Sequence, residues 1–198
     1  EVLAQVPHAT AADLDRALQS SADGFKVWKV MTPLQRQVII AKAADLMRDR
    51  IDQISQTLTL EMGKPFVESK VEMGFVIEVA RWYGEEGKRA YGRLIPPRIP
   101  GLKQMAVKEP VGVAAAFVAW NFPGTNVIRK VAGALAAGCS IIIKPSEETP
   151  GTAVAIARCF QDAGLPPGVL NMVFGVPDEV SRHVLGSWIP RKLSFTGS

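Results

Sequence analysis

The sequence predicts an α/β fold, in which a parallel, Rossmann-like sheet with flanking helices is preceded by a helical segment and a protruding β-hairpin arm. Helix start signals and helical apolar spacing dominate residues 1–91, and prolines break up the short apolar pieces of residues 92–110. From residue 111 onward, continuous apolar runs alternate with helix-like segments. That alternation is typical of parallel sheets whose strands are joined by right-handed helical crossovers.

Residues 1–91 are predicted to form helices with a structural role. The first begins after Thr10, a residue able to cap it. The second begins at Thr32-Pro33-Leu34-Gln35, because a threonine cap, an early proline and a glutamine at the third helical position together favour a helix start. Its apolar stripe begins with Leu34 and Val38, and the helix is expected to stop at Gly63.

A third helix is predicted over roughly residues 66–91. Gly74 and Gly84 are its expected points of close packing. Its expected apolar face consists of Val67, Val71, Val79 and Trp82.

Residues 92–110 are predicted to form a protruding hairpin. The stretch "GRLIPPRIPGLKQMAVKEP" places four prolines and a glycine between short apolar pieces, which suits edge strands and turns. Leu94, Ile95 and Met105 would be exposed on such an arm and would need a partner surface. The arm is therefore the expected oligomer contact.

The strands and helices predicted after residue 110 alternate strictly. Strands are expected over residues 111–120, 139–144, 169–174 and 192–195, with helices over 125–138, 149–164 and 177–186 between them. Ligands of such sheets bind at the carboxyl ends of the strands. Those ends carry Trp120-Asn121, Lys144-Pro145-Ser146-Glu147, Phe174-Gly175 and Thr196-Gly197-Ser198, so we predict one binding site there.

Composition argues against several other functions. The net charge is +4, and the basic residues are scattered rather than clustered, so no nucleic-acid groove is expected. His8 and His183 are isolated and no CxxC pair occurs, so no metal site is expected. The longest apolar run, residues 111–120, is too short to span a bilayer, and the few cysteines suit a reducing compartment. We expect a cytoplasmic protein that does not bind membranes.

Four stretches carry a resemblance to a known family: "WNFP" (120–123), "KPSEETP" (144–150), "GLPPGVLNMVFG" (164–175) and "FTGS" (195–198). They resemble the cofactor-binding half of the NAD(P)-dependent aldehyde dehydrogenase superfamily, and among its members the succinate-semialdehyde dehydrogenases. Ala119 departs from the pattern, since the family usually has proline there. The resemblance implies NAD as cofactor, with NADP possible, and an NAD-binding core over residues 111–198. It also implies a homodimer or homotetramer formed through residues 92–110.

The resemblance further implies roles for residues near "WNFP". Asn121 would donate its side-chain amide to the oxyanion formed when a cysteine thiolate attacks an aldehyde. Phe122 would wall the aldehyde tunnel, and Arg129 would bind a distal carboxylate of the substrate. The alternatives from the residues alone are a turn or capping role for Asn121, and for Arg129 a side chain reaching from a packed helix to water.

For the cofactor, the resemblance implies that Lys144 donates to ribose hydroxyls and that Glu147 accepts from them. Taken without the family, the two residues would be interpreted as a solvated charge pair. Gly197 and Ser198 would begin a helix whose N-terminus faces the pyrophosphate. The implied cofactor-binding set is Trp120, Lys144, Pro145, Ser146, Glu147, Gly175, Gly197 and Ser198.

Both ends of the sequence look cut, and the family's catalytic cysteine and glutamate base are expected beyond Ser198. Cys139 and Cys159 are expected to lie away from the ligand edge, so neither is assigned as the nucleophile. The expected activity is oxidation of succinate semialdehyde to succinate through a cysteine thiohemiacetal and thioester, with these 198 residues alone inactive. The alternatives are a dehydrogenase for another aliphatic or aromatic aldehyde, and a non-catalytic nucleotide-binding relative.

Overall fold

The structure is a computed structural model that describes residues 5–197. Within that range, α1 to α4 precede a two-stranded hairpin, which is followed by alternating strands and helices. In chain order the elements are α1 (Ala11–Trp28), α2 (Pro33–Asp49), α3 (Ile51–Met62), α4 (Phe66–Gly87), β1 (Arg93–Ile95), β2 (Gln104–Ala106), β3 (Val113–Phe117), α5 (Pro123–Ala136), β4 (Ser140–Lys144), α6 (Pro150–Asp162), β5 (Leu170–Met172), α7 (Pro177–Gly186) and β6 (Pro190–Phe195). The α/β fold expected from the sequence is confirmed.

Both helix starts expected from the sequence are capped by reciprocal hydrogen bonds. The Thr10 hydroxyl accepts from the Asp13 N–H, and the Asp13 carboxylate accepts from the Thr10 N–H at 2.8 Å. Thr32 and Gln35 make the same pair of contacts at the start of α2. These boxes satisfy N–H groups that the first turn of a helix leaves free.

The second expected helix is two helices, because the backbone at Arg50 leaves the helical conformation (φ −104°, ψ 13°). The expected apolar face of α2 was also wrong: Leu34 and Val38 are exposed, and Ile40 and Met47 are fully buried. The inward face of α2 therefore carries Ile40 and Met47, and Leu34 and Val38 lie on the outer face.

Three of the four residues of the expected face of α4 were also wrong. Val67, Val71 and Trp82 are exposed, whereas Val79 is half-buried and packs against the larger core. A Cβ built on Gly74 would meet no atom within 4 Å, whereas one on Gly84 would contact Ile40. The inward face of α4 consists instead of Ser69, Glu72, Met73, Val76, Ile77, Ala80, Gly84 and Gly87.

The four-stranded sheet is entirely parallel, with the strand order β5-β4-β3-β6. The chain moves outward from β3 to β4 and β5, and then returns to the opposite side of β3 with β6. Phe117 at the end of β3 is paired with Lys144 of β4 and with Phe195 of β6. The change of direction beside β3 opens a crevice at the carboxyl ends of the strands, where sheets of this kind bind ligands.

Each face of the sheet carries its own hydrophobic core. Ile141 and Ile143 of β4 face the larger core, which includes Trp28 and Phe160. Ile142 faces the smaller core under α1 and α7. Burial on both faces explains why the strands have continuous apolar sequences instead of alternating ones.

The hairpin of β1 and β2 is antiparallel, and all six of its strand residues are exposed. Leu94 is 84% exposed and Met105 is 66% exposed. The expected oligomer contact through residues 92–110 stays a prediction.

Among the helices between residues 5 and 197, none has both the length and the apolar character that a membrane crossing requires.

Gly24 of α1 packs directly against the backbone of Gly168, in the loop before β5. A Cβ on Gly24 would lie 2.2 Å from the carbonyl carbon of Gly168. We expect Gly24→Ala to lower the free energy of unfolding by about 1–3 kcal/mol or more, the cost of overpacking. The control, Gly74→Ala, is expected to raise it by roughly 0.5–1 kcal/mol.

Urea unfolding followed by tryptophan fluorescence measures both changes. Equal unfolding midpoints for the two variants would contradict the close packing of α1 on the loop before β5.

Candidate functional site

A cleft of ≈ 450 Å³ lies at the carboxyl ends of β3, β4 and β6. It occupies the crevice where the strand order reverses, the position expected for a ligand site in this kind of sheet. Its lining includes five residues of the cofactor-binding set that the resemblance implied, namely Trp120, Lys144, Ser146, Glu147 and Gly197. Pro145 and Gly175 are not among the lining residues, and Ser198 lies outside the described residues.

Lys144 and Glu147 form an ion pair at the base of the cleft. Lys144 is only 6% exposed, and its ammonium group also donates to the Pro145 carbonyl at 3.3 Å. Glu147 accepts from the Gly175 N–H at 3.3 Å. The pair is therefore not the solvated surface pair that the residues alone suggested, because its cation is buried and held by the end of β4.

The backbone at Gly175 has φ 151°, a conformation that residues with a side chain rarely adopt. A Cβ there would lie 3.0 Å from Val180. Gly175 thus lets the turn after β5 bring its N–H to Glu147. Gly175 therefore donates to the Glu147 carboxylate and does not itself line the cleft.

Glu148 also lines the cleft and was not singled out from the sequence. It accepts a hydrogen bond from the Ser146 hydroxyl, and this contact holds the pKa of Glu148 below its ordinary value. The adjacent Lys144 charge acts in the same direction. The residues that line the cleft therefore include one lysine, Lys144, and three carboxylates, Glu147, Glu148 and Asp178. The second glutamate of "KPSEETP" was the sequence signal that could have identified Glu148.

The opposite wall of the cleft is apolar, with Leu185, Leu193 and Phe195 from α7 and β6. An apolar wall facing a few polar groups suits a flat aromatic base joined to a hydroxyl-bearing sugar. The residues present thus fit a dinucleotide such as NAD: the wall for the base, and Lys144 and Glu147 for ribose hydroxyls.

A second concavity, a groove of ≈ 650 Å³, lies between α4 and the start of α5. Its lining includes Phe75, Phe122 and Arg129. The Arg129 guanidinium lies 5.3 Å from the centre of the Phe75 ring, and the Lys64 ammonium lies 4.3 Å from the centre of the Phe122 ring. Glu68 and Glu72 also line the groove, and Glu72 is paired with Lys64. The exposed Arg129 beside aromatic walls suits an anionic group on an organic molecule.

The turn between β3 and α5 separates the cleft from the groove. Trp120 lines the cleft, Phe122 lines the groove, and Asn121 between them is exposed. The alternative that Asn121 caps the following helix was wrong, because α5 begins at Pro123 with Phe122 at the capping position and no side-chain cap.

The amide of Asn121 is oriented by Asn126, one turn into α5. Asn126 Nδ2 donates to Asn121 Oδ1 at 3.2 Å and is 3.4 Å from the Ala119 carbonyl. With its oxygen used as an acceptor, Asn121 has its Nδ2 group left to donate. Asn126 was not singled out from the sequence, since the contact depends on the side chains meeting across one helical turn.

Lys130 points away from its neighbour Arg129, because consecutive helical residues are about 100° apart around the axis. It donates to the Thr196 hydroxyl at 2.6 Å, at the end of β6. Burial, with the charge of Arg129 as the second cause, lowers the pKa of Lys130. Lys130 thus brings a partly buried cation to the end of the sheet. This position was not predicted from the sequence, where only Arg129 of the pair was assigned a role.

Both cysteines are buried and lie away from the turn at Asn121. Cys139 directly precedes β4, and Cys159 is fully buried in α6, where burial raises the pKa of its thiol. The part of the chain that the structure describes contains no group of three His, Cys, Asp or Glu residues placed to hold a metal ion.

Comparison with known proteins gives consistent matches. A sequence profile described as the aldehyde dehydrogenase family matches residues 1–198. 4-(Hydroxymethyl)benzenesulfonate dehydrogenase TsaD1 of Comamonas testosteroni is 40% identical over 100% of this chain and 41% of its own length. Succinate-semialdehyde dehydrogenase (NADP+) GabD of Escherichia coli is 37% identical over 99% of this chain and 41% of its own length.

A solved structure, succinate-semialdehyde dehydrogenase from Burkholderia pseudomallei, superposes with a TM-score of 0.98 at 40% identity. The match covers 100% of this chain and 41% of that protein. The chain therefore spans 41% of the length of these relatives.

Proposed function

This chain belongs to the aldehyde dehydrogenase family, and from that premise we propose that the intact protein oxidises an aldehyde to a carboxylic acid with NAD as the hydride acceptor. The proposed substrate is a short aldehyde with a carboxylate at its far end, succinate semialdehyde or a close homologue.

Three consecutive residues carry this proposal. Trp120 lines the cleft, Phe122 lines the groove, and the exposed Asn121 lies between them. A nucleotide in the cleft and an aldehyde in the groove would meet at this turn. Holding two reactants at one point is itself a large contribution to catalysis.

Asn121 would supply an oxyanion donor at that point. Its Nδ2 group is the end of the amide left free by Asn126. When a cysteine thiolate from the remainder of the protein attacks the aldehyde, the developing negative charge would be stabilised by this prepositioned donor. The bound nicotinamide supplies the acceptor for the hydride.

Three residues of the cleft would hold the cofactor. Lys144 would donate to ribose hydroxyls, Glu147 would accept from them, and Trp120 would cover the nicotinamide side of the cleft. A second carboxylate, Glu148, makes the cleft unfavourable for an additional phosphate on the ribose. These charges support NAD over NADP, although GabD, one of the relatives, is named for NADP+.

The groove supports the proposed substrate class. Arg129 is exposed toward it and lies two helical turns from the Asn121 turn. A guanidinium can grip a carboxylate through two parallel hydrogen bonds. The aldehyde end of a short ω-carboxylate substrate would then lie toward Asn121.

A second candidate substrate is an aromatic aldehyde that carries an anionic group. Phe75 and Phe122 provide aromatic walls beside Arg129, and TsaD1 is named for an aromatic sulfonate. The ratio of kcat/KM for 4-carboxybenzaldehyde to that for succinate semialdehyde distinguishes the two candidates, because both offer Arg129 an anion.

Asn121→Ala tests the oxyanion donor in the intact protein. We expect it to slow the burst of NADH formation from succinate semialdehyde by about 10²–10³-fold, the scale of one lost oxyanion donor. The dissociation constant of NAD should change little. If the variant's burst rate equals that of the parent, Asn121 is a turn residue without a catalytic role. If the parent protein oxidises no aldehyde, the proposed function is refuted.

Glu147→Ser tests the cofactor preference. The parent is expected to prefer NAD, and the variant should narrow the ratio of kcat/KM for NAD to that for NADP, because the serine no longer repels a 2′-phosphate. Glu179→Ser is the matched control, since Glu179 is exposed on α7 and does not line the cleft. Equal use of the two cofactors by the parent is the result that contradicts this assignment.

Arg129→Leu tests the carboxylate contact. KM for succinate semialdehyde should rise roughly 10–100-fold, corresponding to about 1.5–3 kcal/mol for hydrogen bonds to a charged group. An uncharged aldehyde of equal length should be little affected, and Arg158→Leu, an exposed arginine on α6, is the matched control. A parent that prefers a simple alkanal to succinate semialdehyde would refute the substrate while leaving the dehydrogenase assignment intact.

A further inference from the structure

The start of α5 is capped by a residue from another helix. Glu72, in the middle of α4, accepts hydrogen bonds from the Gly124 N–H at 2.9 Å and the Thr125 N–H at 3.1 Å. Its other carboxylate oxygen is 2.5 Å from the Lys64 ammonium group. Glu72 is 5% exposed, so this carboxylate is a buried charge whose contacts all lie within the protein.

The capping position of α5 itself does not perform this task. Phe122 occupies that position, and its hydrocarbon ring, which lines the groove, has no acceptor for the N–H groups of the first turn. Serine, threonine, asparagine or aspartate at the position would satisfy the same N–H groups locally. The capping function is thus performed by Glu72, which lies 52 residues before Gly124 in the chain.

The contact is close enough to set where the turn lies. A Cβ on Gly124 would be 3.0 Å from Val76 and 3.2 Å from the Glu72 carboxylate, so the first turn of α5 rests directly on α4. Asn121 and Phe122 are the residues immediately before this turn. Their distance from the cleft and the groove therefore depends on where Glu72 holds the N–H groups.

We propose that Glu72, paired with Lys64, is a positioning residue that places Asn121 for the oxyanion by fixing the first turn of α5. The proposal rests on the proposed aldehyde oxidation. Glu72 does not touch the reacting atoms; it acts through the backbone of Gly124 and Thr125.

The test compares two double variants of the intact protein. Lys64→Met with Glu72→Leu removes both charges and the cap, whereas Lys64→Met with Glu72→Gln removes the charges and retains a carbonyl acceptor for α5. Lys64 also lines the groove, so the two double variants, which both carry Lys64→Met, are compared with each other. We expect the NADH burst at saturating NAD to be roughly 10–100-fold slower in the leucine variant than in the glutamine variant, the effect of a displacement of about 1 Å at a reacting centre. Both variants should keep the parent's dissociation constant for NAD.

Glu61→Leu is the matched control. Glu61 caps α6 in the same way, accepting from the Gly151 and Thr152 N–H groups, but α6 does not follow Asn121. It should leave the burst rate at saturating NAD close to that of the parent. If Glu61→Leu slows the burst as much as the leucine double variant does, or if the two double variants have equal rates, Glu72 is a stabilising residue only and the proposal is overturned.

Two further measurements keep the outcome decisive. Glu72→Asp, which keeps the charge and withdraws it from α5 by one methylene, replaces the leucine variant if that protein does not fold, and it too should slow the burst. Hydrogen exchange of the Gly124 and Thr125 amides needs no activity: these two N–H groups should exchange faster in the leucine variant than in the glutamine variant. Equal exchange in the two variants would overturn the positioning role. If the parent oxidises no aldehyde but the two variants still differ in exchange, only the proposed function is refuted.

Discussion

The N–H groups at the starts of α5 and α6 are bound by carboxylates from the helical layer, and these contacts join that layer to the sheet beside both concave sites. Glu72 serves α5, and Glu61 serves α6 with contacts to the Thr152 N–H at 2.9 Å and its hydroxyl at 2.8 Å. Neither helix has a side-chain cap of its own. The turns that precede the helices contain Phe122 and Glu147, residues that line the groove and the cleft.

The far end of α5 is held as firmly as its start. The indole N–H of Trp28, which is fully buried, donates to the Leu135 carbonyl at 2.9 Å. A Cβ on Gly87 would lie 2.8 Å from the Ala136 carbonyl oxygen, so α4 meets α5 backbone to backbone there. With both ends fixed, α5 can carry Arg129 on one side and Lys130 on the other toward different parts of the molecule.

Local signals were sufficient to predict much of this fold. Thr10 and Thr32 marked helix starts, and the polar residues after β3 and β4 marked the edge of the sheet where the cleft lies, because both patterns depend on neighbours in sequence. The inward faces of α2 and α4 were mispredicted, since several of their most apolar residues, such as Val71, are exposed. Glu72 and Asn126 could not be assigned roles from sequence, because their roles depend on partners brought close only by the folded backbone.

The contacts that hold α1 also determine when it can fold. Asn171 donates to the Ser21 hydroxyl across 150 residues, and Gly24 packs on Gly168. A ribosome adding about 5–20 residues per second needs roughly 8–30 s to produce that separation. Leu14 and Leu18 have no sheet to cover them until β3 and β4, which supply Val113, Ala115 and Ile142 of the same core, have been synthesised. During synthesis, α1 is therefore made early and docks late, and its uncovered apolar face is a site that chaperones can bind.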